Sequence, residues 1–270
     1  MPDPADPADA RYTHGHHDSV LRSHRWRTAE NSAAYLLPRL APGLDVLDVG
    51  CGPGTITADL AGLVAPGRVV GVDVVAVEGR PTAPNLSFTN GDVYALDYPD
   101  ASFDVVHAHQ VLQHLADPVA GLREMARVCK PNGTIAVRDS DYSAFAWWPG
   151  GERLDRWLDV YRAAARANGG EPDAGRHLLR WAHAAGLSGD AVVPSASAWC
   201  FATPEDRAWW GGLWAERISS AESALARRAT ELGLADAAAL ADMAAAWHEW
   251  AAHPDGWFAV LHGELLCTRP

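Results

Sequence analysis

The segment VLDVGCGPG, residues 46–54, constrains this chain more than any other part of it. An apolar strand pattern carrying Asp48 runs directly into Gly50, Gly52 and Gly54, and the helical pattern TITADLAGLV follows. A strand, a glycine turn and a helix in that order bring bare backbone and a helix N-terminus to one point, where a ligand can approach closely. The dinucleotide-binding fingerprint spaces its last two glycines three apart. Here Gly52 and Gly54 are two apart with Pro53 between them, so a pyrophosphate is not the ligand that the spacing favours.

The alternation then continues. GRVVGVD (ending on Asp73), LSFTNGD, FDVVHAHQ and TIAVRD read as four further strands. The helix DPVAGLREMARVCK opens with Asp117 as N-cap and Pro118 at the first helical position, with Val119, Leu122, Met125 and Cys129 on one face. Five strands alternating with helices over residues 45–139 imply right-handed crossovers and a mostly parallel sheet covered on both faces. Ligands of such sheets sit beyond the carboxyl ends of the strands. Upstream, the spacing in AENSAAYLLPRL predicts a helix over 28–40.

Past residue 141 the texture changes: of the 12 tryptophans, all but Trp26 fall at or beyond Trp147. ERLDRWLDVYRAAARANGG and AGRHLLRWAHAAG read as helices and AVVPSASAWCFAT as a strand. Thr203, Pro204 and Asp206 start a long helical region, which the glycines are expected to break at Gly211 and Gly212 and again near Gly233. GWFAVLHGELLCTRP reads as a last strand, and no internal repeat is visible. Tryptophan at helical spacing is mostly core. The pairs Trp147–Trp148 and Trp209–Trp210 cannot both point into one helix face, which suggests an aromatic cap over a flat or apolar substrate.

At 270 residues and 48% hydrophobic composition, the chain suits one large domain or a domain with a cap. A net charge of -12, a single lysine (Lys130) and scattered arginines argue against a nucleic-acid groove and for a small neutral or apolar partner. Cys51, Cys129, Cys200 and Cys267 lack metal or disulfide spacing and read as free thiols in a reducing cytoplasm. No apolar run reaches the roughly 18 residues of a membrane span. The opening MPDPADPADARY is acidic and proline-rich, unlike a signal peptide, and residues 1–10 are expected to be a loose tail.

Taken in order, four stations carry a resemblance: Asp48 with the loop Gly50–Gly54, Asp73 ending the second strand, Asp92 in NGDVYAL, and FDVVHAHQVLQHLADP. Over roughly residues 28–141, and more weakly through the C-terminal strands, the chain resembles the class I S-adenosylmethionine-dependent methyltransferases. It looks most like the branch that includes ubiquinone and menaquinone biosynthesis enzymes and many natural-product enzymes. The resemblance implies S-adenosylmethionine as cofactor, with Asp48, Gly50, Cys51, Gly52 and Gly54 packed on its methionine and ribose portion. It makes Asp73 the ribose ligand, with Val74 beside it, since a carboxylate accepts two hydrogen bonds from a vicinal diol. Gly91, Asp92 and Val93 fall at the adenine, and His109 and Gln110 at the end of the fourth strand.

The implied architecture is α/β: a Rossmann-like, seven-stranded, mostly parallel sheet with its last strand antiparallel, helices on both faces and helical cap insertions. Residues 1–27 would be a tail and lid segment. Residues 28–270 would be the methyltransferase domain, with a cofactor-binding core at 28–141, a cap at 142–256 and the final strand at 257–268.

Methyl transfer from a sulfonium is an in-line displacement, so a site must align the acceptor and remove a proton where the acceptor carries one. His109 is the candidate base or substrate contact, the alternative being a histidine that hydrogen-bonds backbone at a strand end. His107 reads as structural and His114 as packing. At the end of strand five, Asp139 is a second catalytic candidate, while Asp141 and Tyr142 stand on the substrate side with Gln110 and Trp147; a solvated loop carboxylate is the alternative for Asp141. N-terminal segments of this family fold over the cofactor, which makes Tyr12 and Arg27 lid contacts. His14, His16 and His17 invite a metal, but no Cys or carboxylate ligand pattern accompanies them, and no metal is expected.

The sequence therefore reads as a cytoplasmic monomer or homodimer that methylates a small apolar or aromatic metabolite, with no nucleic-acid or membrane partner. Two rivals stand beside it. One is a non-catalytic S-adenosylmethionine-binding module; the other is a nicotinamide-dependent oxidoreductase, disfavoured by the glycine spacing.

Overall fold

The computed structural model describes residues 18–270. Its centre is β1 (Val46–Val49), buried at all four positions as a middle strand of a covered parallel sheet must be. On one side lie β2 (Val69–Asp73) and then β3 (Leu86–Asn90); on the other lie β4 (Phe103–His109) and then β5 (Cys129–Ser140), all parallel. The sheet thus grows away from β1 in both directions, and the loops after β1 and β4 part to leave a crevice at their carboxyl ends.

The final strand, β8 (Trp257–Thr268), inserts antiparallel between β5 and β7 (Val192–Phe201). The sheet has eight strands rather than the seven expected, because a short β6 (Ala146–Trp148) continues the line of β5 along β8 after the turn at residues 141–145.

The helices α1 (Asp18–Arg25), α2 (Ala29–Ser32), α3 (Thr55–Val64), α4 (Pro118–Val128), α5 (Glu152–Ala167), α6 (Leu178–Ala184), α7 (Pro204–Ser219), α8 (Ala224–Glu231) and α9 (Ala237–Ala252) surround it. Two N-caps sit where the sequence puts them. Asp117 accepts from Ala120 N, and Thr203 and Asp206 close a capping box at the start of α7.

Three expectations are corrected. Residues 28–40 do not form one helix: α2 stops at Ser32 and only a 3-10 turn, Leu37–Arg39, follows. Pro38 lacks an N–H, and its ring would clash with the carbonyl of Ala34 in a continuous helix. Cys129 heads β5 instead of closing the apolar face of α4. The region after Thr203 is unbroken at Gly211 and Gly212, both inside α7, while the break near Gly233 does separate α8 from α9. A Cβ on Gly211 would lie 2.8 Å from Ala251 Cβ and 3.0 Å from Trp247 O, so this glycine sets how closely α7 approaches α9.

The tryptophans of the second half form the core beneath these helices. Trp157 meets Trp214 at 4.5 Å and Trp247 at 4.7 Å, both edge to face, and Phe258 of β8 lies among them. The paired tryptophans split as their elements dictate. On β6, successive side chains point to opposite faces: Trp147 stacks on Phe258 at 5.5 Å and Trp148 is 62% exposed. On α7, Trp210 stacks on Phe201 at 4.3 Å, while Trp209 turns outward to meet Trp26. Among the described residues, no helix is long and apolar enough to cross a membrane.

Candidate active site

A cleft of about 450 Å³ opens at the carboxyl ends of β1, β2 and β4. Its floor is the glycine loop, in which Gly50, Gly52 and Gly54 all have positive φ. Their roles differ. A Cβ on Gly50 would fall 2.3 Å from Val111, and one on Gly54 2.5 Å from the Phe88 ring, so these two let the loop pack on its neighbours. A Cβ on Gly52 would meet nothing closer than His24 at 3.9 Å; this glycine leaves room in the cleft itself.

The loop is held at both polar groups of Gly52. Asp73 Oδ2 accepts Gly52 N–H at 2.8 Å and Oδ1 accepts Val75 N–H at 3.1 Å. From the far side, Arg80 Nε donates to Gly52 O at 2.9 Å while its guanidinium lies 4.9 Å over the Phe88 ring. Arg80 sits in an irregular segment without periodicity, and nothing in the sequence singles it out.

The residues present fit S-adenosylmethionine. A half-buried carboxylate stands at the end of β2, backbone lies bare at Gly52, and exposed Val74 and buried Val93 offer apolar surface to a flat ring. Gly91 and Asp92 line the same wall, and Asp92 Oδ1 accepts Tyr94 N–H at 2.9 Å. Cys51 Sγ lies in the loop, and burial pushes its thiol well above the usual range. Asp48 lines the cleft with both oxygens engaged within the protein: Thr57 Oγ1 donates to Oδ2 at 2.6 Å, and His107 Nδ1 lies 2.7 Å from Oδ1. It ties β1 to α3 and β4.

The inner wall is built at the end of β4, where Gln110 takes a left-handed conformation with φ 55 and donates its N–H to Arg138 O. Its side chain joins three remote elements. Arg27 Nη2 donates to Gln110 Oε1 at 2.6 Å, and because arginine can only donate, this fixes the amide. Gln110 Nε2 then donates to Ser140 Oγ at 2.8 Å and to His262 Nε2 at 2.9 Å, which assigns the proton of His262 to Nδ1. Burial, with the charges of Arg138 and Arg27, holds His262 well below the ordinary histidine pKa, in keeping with that neutral tautomer.

His109 lines the cleft beside this network. Both its ring nitrogens are buried without a hydrogen-bond partner among the described residues, so it does not bond backbone at the strand end. Its ring lies 5.7 Å from Trp199, and burial followed by the charge of Arg27 keeps its pKa well below 6.5. A neutral imidazole in this position can accept a proton.

The remaining candidates scatter. Asp139 does not line the cleft: it is fully buried on the opposite side of the sheet, its Oδ1 accepts Gln113 N–H at 3.0 Å, and burial lifts its pKa to about 7. Asp141 is neither solvated nor in the cleft, but forms a two-pronged pair with Arg176 at 2.6 and 2.7 Å. Trp147 belongs to the aromatic core. His114 lines the cleft, with burial lowering its pKa to about 3. Tyr12, His14, His16, His17 and the expected tail of residues 1–10 lie outside the described residues. Among the described residues, no group of three or more His, Cys, Asp or Glu is placed to hold a metal ion.

A second, smaller cavity of about 20 Å³ shares His24, Arg27 and Gln110 with the cleft and has aromatic walls: Tyr142, Phe145, Trp199, Trp210 and Trp214. Ser140, Trp199, His262 and Arg217 carry this side of the site without having been singled out in the sequence. Their only local signal is strand or helix periodicity, which speaks of burial and not of what the buried group meets.

Comparison with known proteins agrees with this geometry. Residues 47–137 match the family model described as a methyltransferase domain. An uncharacterized methyltransferase of Schizosaccharomyces pombe is 34% identical over 96% of each chain. The probable methyltransferase ltbC of Aspergillus luteorubrus is 30% identical over 96% of this chain and 97% of its own. In fold, the chain is similar to the solved structure of a putative methyltransferase from an antibiotic biosynthesis pathway of Anabaena variabilis, with a TM-score of 0.59 at 17% identity, covering 91% of this chain and 99% of that one. From the glycine loop to the antiparallel last strand, the chain belongs to the class I S-adenosylmethionine-dependent methyltransferases, and S-adenosylmethionine is its cofactor.

Proposed function

We propose that the enzyme methylates a small metabolite with an apolar or aromatic frame, bound at the Arg27–Gln110 end of the cofactor cleft. The observation that carries this reading is the aromatic cluster of Tyr142, Phe145, Trp199 and Trp210 that meets the cleft at Arg27 and Gln110. When bound, the cofactor supplies an electrophilic methyl group on its sulfonium. Asp73 takes the ribose diol, Asp92 the adenine, and the bare backbone at Gly52 lies against the remainder. Arg27 and Gln110, fixed by Ser140 and His262, orient the acceptor for in-line attack, which is the larger part of what such a site must do.

His109 takes the proton from an acceptor O–H or N–H. Its depressed pKa suits it to an acceptor whose proton becomes acidic as the transfer proceeds. Asp139, behind the sheet, serves to hold the turn after β4 through Gln113.

Purified protein incubated with methyl-labelled S-adenosylmethionine and a panel of aromatic and aliphatic hydroxyl or amino compounds is expected to form S-adenosylhomocysteine and a labelled small product. Cofactor binding without turnover on any acceptor would favour a binding module instead. Label transferred only to polypeptide or nucleic acid would remove the small-molecule reading.

A further inference from the structure

We infer that Arg80 is a positioning residue for the cofactor: it holds the connection between β2 and β3 against the glycine loop and so fixes the slot in which the ribose and adenine lie. The inference rests on the reading that Asp73 takes the ribose diol, and it is independent of which acceptor is methylated.

Parallel strands need a crossover of about a dozen residues, and a helix usually supplies it. Residues 74–85, which join β2 to β3, contain no helix. Such a segment has no apolar stripe to bury along its length and must be held at points. One point is its far end, where Asn85 Nδ2 donates to Ala61 O at 2.9 Å and to Gly67 O at 2.7 Å. The part that lines the cleft, at Val74, Val75 and Val77, lies well before that anchor.

There the holding is reciprocal. Asp73 accepts the N–H groups of both Gly52 and Val75, and Arg80 donates to the carbonyls of the same two residues, from Nε to Gly52 O at 2.9 Å and from Nη2 to Val75 O at 3.1 Å. An ionised carboxylate only accepts and a guanidinium only donates, so between them the two side chains fix both backbone polar groups of each residue. The Phe88 ring, 4.9 Å from the guanidinium, holds its plane. Pro81 follows directly and would lie 3.5 Å from a Cβ on Gly54, which brings the same segment down on the loop a second time.

The two side chains carry different loads once the cofactor is bound. Asp73 then serves the diol as well as two N–H groups. Arg80 does not line the cleft and has no second task, so it keeps Gly52 and Val75 together while the oxygens of Asp73 are shared. A slot already set to its bound width loses less freedom when the ligand enters, which raises affinity without any contact to the ligand.

The test is S-adenosylhomocysteine binding to the full chain by calorimetry, with no acceptor present. Arg80→Met keeps an unbranched stem over Phe88 and removes both hydrogen bonds; its affinity is expected to fall roughly tenfold to a hundredfold, the range for lost hydrogen bonds to a charged group. Arg80→Lys, which can donate to a carbonyl but lacks the planar fork, should lose less. Amide hydrogen exchange of the cofactor-free proteins is the second readout. In Arg80→Met it should quicken at the glycine loop and at residues 74–77 and stay unchanged in β1 and β4. If the methionine variant does not fold, the lysine variant is read alone, and it should bind at least about threefold more weakly with the same local quickening.

An unchanged affinity, a lysine variant no better than the methionine one, or exchange that quickens in β1 and β4 as well, the mark of a general loss of stability, each overturn the inference. Full affinity in Arg80→Met beside a loss in Asp73→Ala would sink the clasp and leave the ribose reading standing. A loss in Arg80→Met beside full affinity in Asp73→Ala would do the reverse.

Discussion

The carboxylate of Asp73 accepts the N–H of Gly52 at 2.8 Å, so the end of β2 and the middle of the glycine loop form one unit. Arg80 closes the unit by taking the carbonyl of the same glycine. A group proposed to recognise ribose thereby also shapes the backbone that the rest of the cofactor lies against, and substitutions at the two positions should differ in kind.

Gly52→Val should abolish S-adenosylmethionine binding and leave the protein folded. Its side chain would enter the cleft rather than the core, and its φ of +51 costs a β-branched residue about 1 to 2 kcal/mol. Equilibrium binding together with a thermal melt checks both halves. A variant with full affinity would place the cofactor elsewhere.

Asp73→Ala should weaken S-adenosylmethionine binding by about 1.5 to 3 kcal/mol, the cost of losing a charged acceptor that serves both loop and ligand. Unchanged affinity in calorimetry would count against the assignment.

His109→Ala should lower kcat by roughly 10²-fold to 10⁴-fold, the range for a lost general base, with cofactor affinity nearly constant. The wild-type pH profile carries the sign. Because the pKa of His109 is depressed, its neutral form persists below 6.5, and the acid limb of activity should fall at lower pH than for an ordinary histidine. Normal turnover and an unaltered profile in the variant would reduce His109 to a packing residue.

Stability should fall steeply in mild acid. His109, His114 and His262 all have depressed pKa values in the fold, so below about 6.5 the unfolded chain binds protons there that the folded one does not. Each contributes stability above the unfolded pKa that is lost as pH falls, at about 1.4 kcal/mol per pH unit. Asp139 opposes them: its pKa is raised to about 7, so its contribution is present in acid and lost as pH rises through that value. Three histidines against one carboxyl leave stability falling as the pH drops below about 6.5. Denaturant midpoints measured from pH 7 downward give the slope, which His114→Leu should make shallower. A midpoint independent of pH would show that these groups are not buried as described.

What was legible in the sequence was local. The strand, glycine loop and α3 follow from adjacent residues, as do the caps at Asp117 and Thr203, and the cofactor wall from Asp48 to Val93 is assembled from the ends of three consecutive strands. The inner wall of the cleft was legible only in part: Arg27 and Gln110 stood out, but Ser140 and His262 meet Gln110 only through the order of strands in the sheet. The same holds for α7: glycine is a poor helix former, yet Gly211 stays helical because α9 packs where its side chain would be. Asp141, a substrate-side candidate in the sequence, is instead tied to Arg176, which the sequence places 35 residues away.

The position of β8 has a consequence for how the protein is made. A ribosome releases β6 and β7 before β8, the strand both pair with, so these two cannot settle into the sheet while the nascent chain is still short of residue 257. Phe258 arrives with β8, and until then Trp157, Trp247 and Trp250 lack the ring they pack around. The half from β1 to β5 can fold as it emerges, whereas the tryptophan-rich half must wait and then close in one late, non-local step. For that interval the chain presents its largest aromatic surface to the cell, and chaperone dependence during synthesis should track the delay before β8 appears.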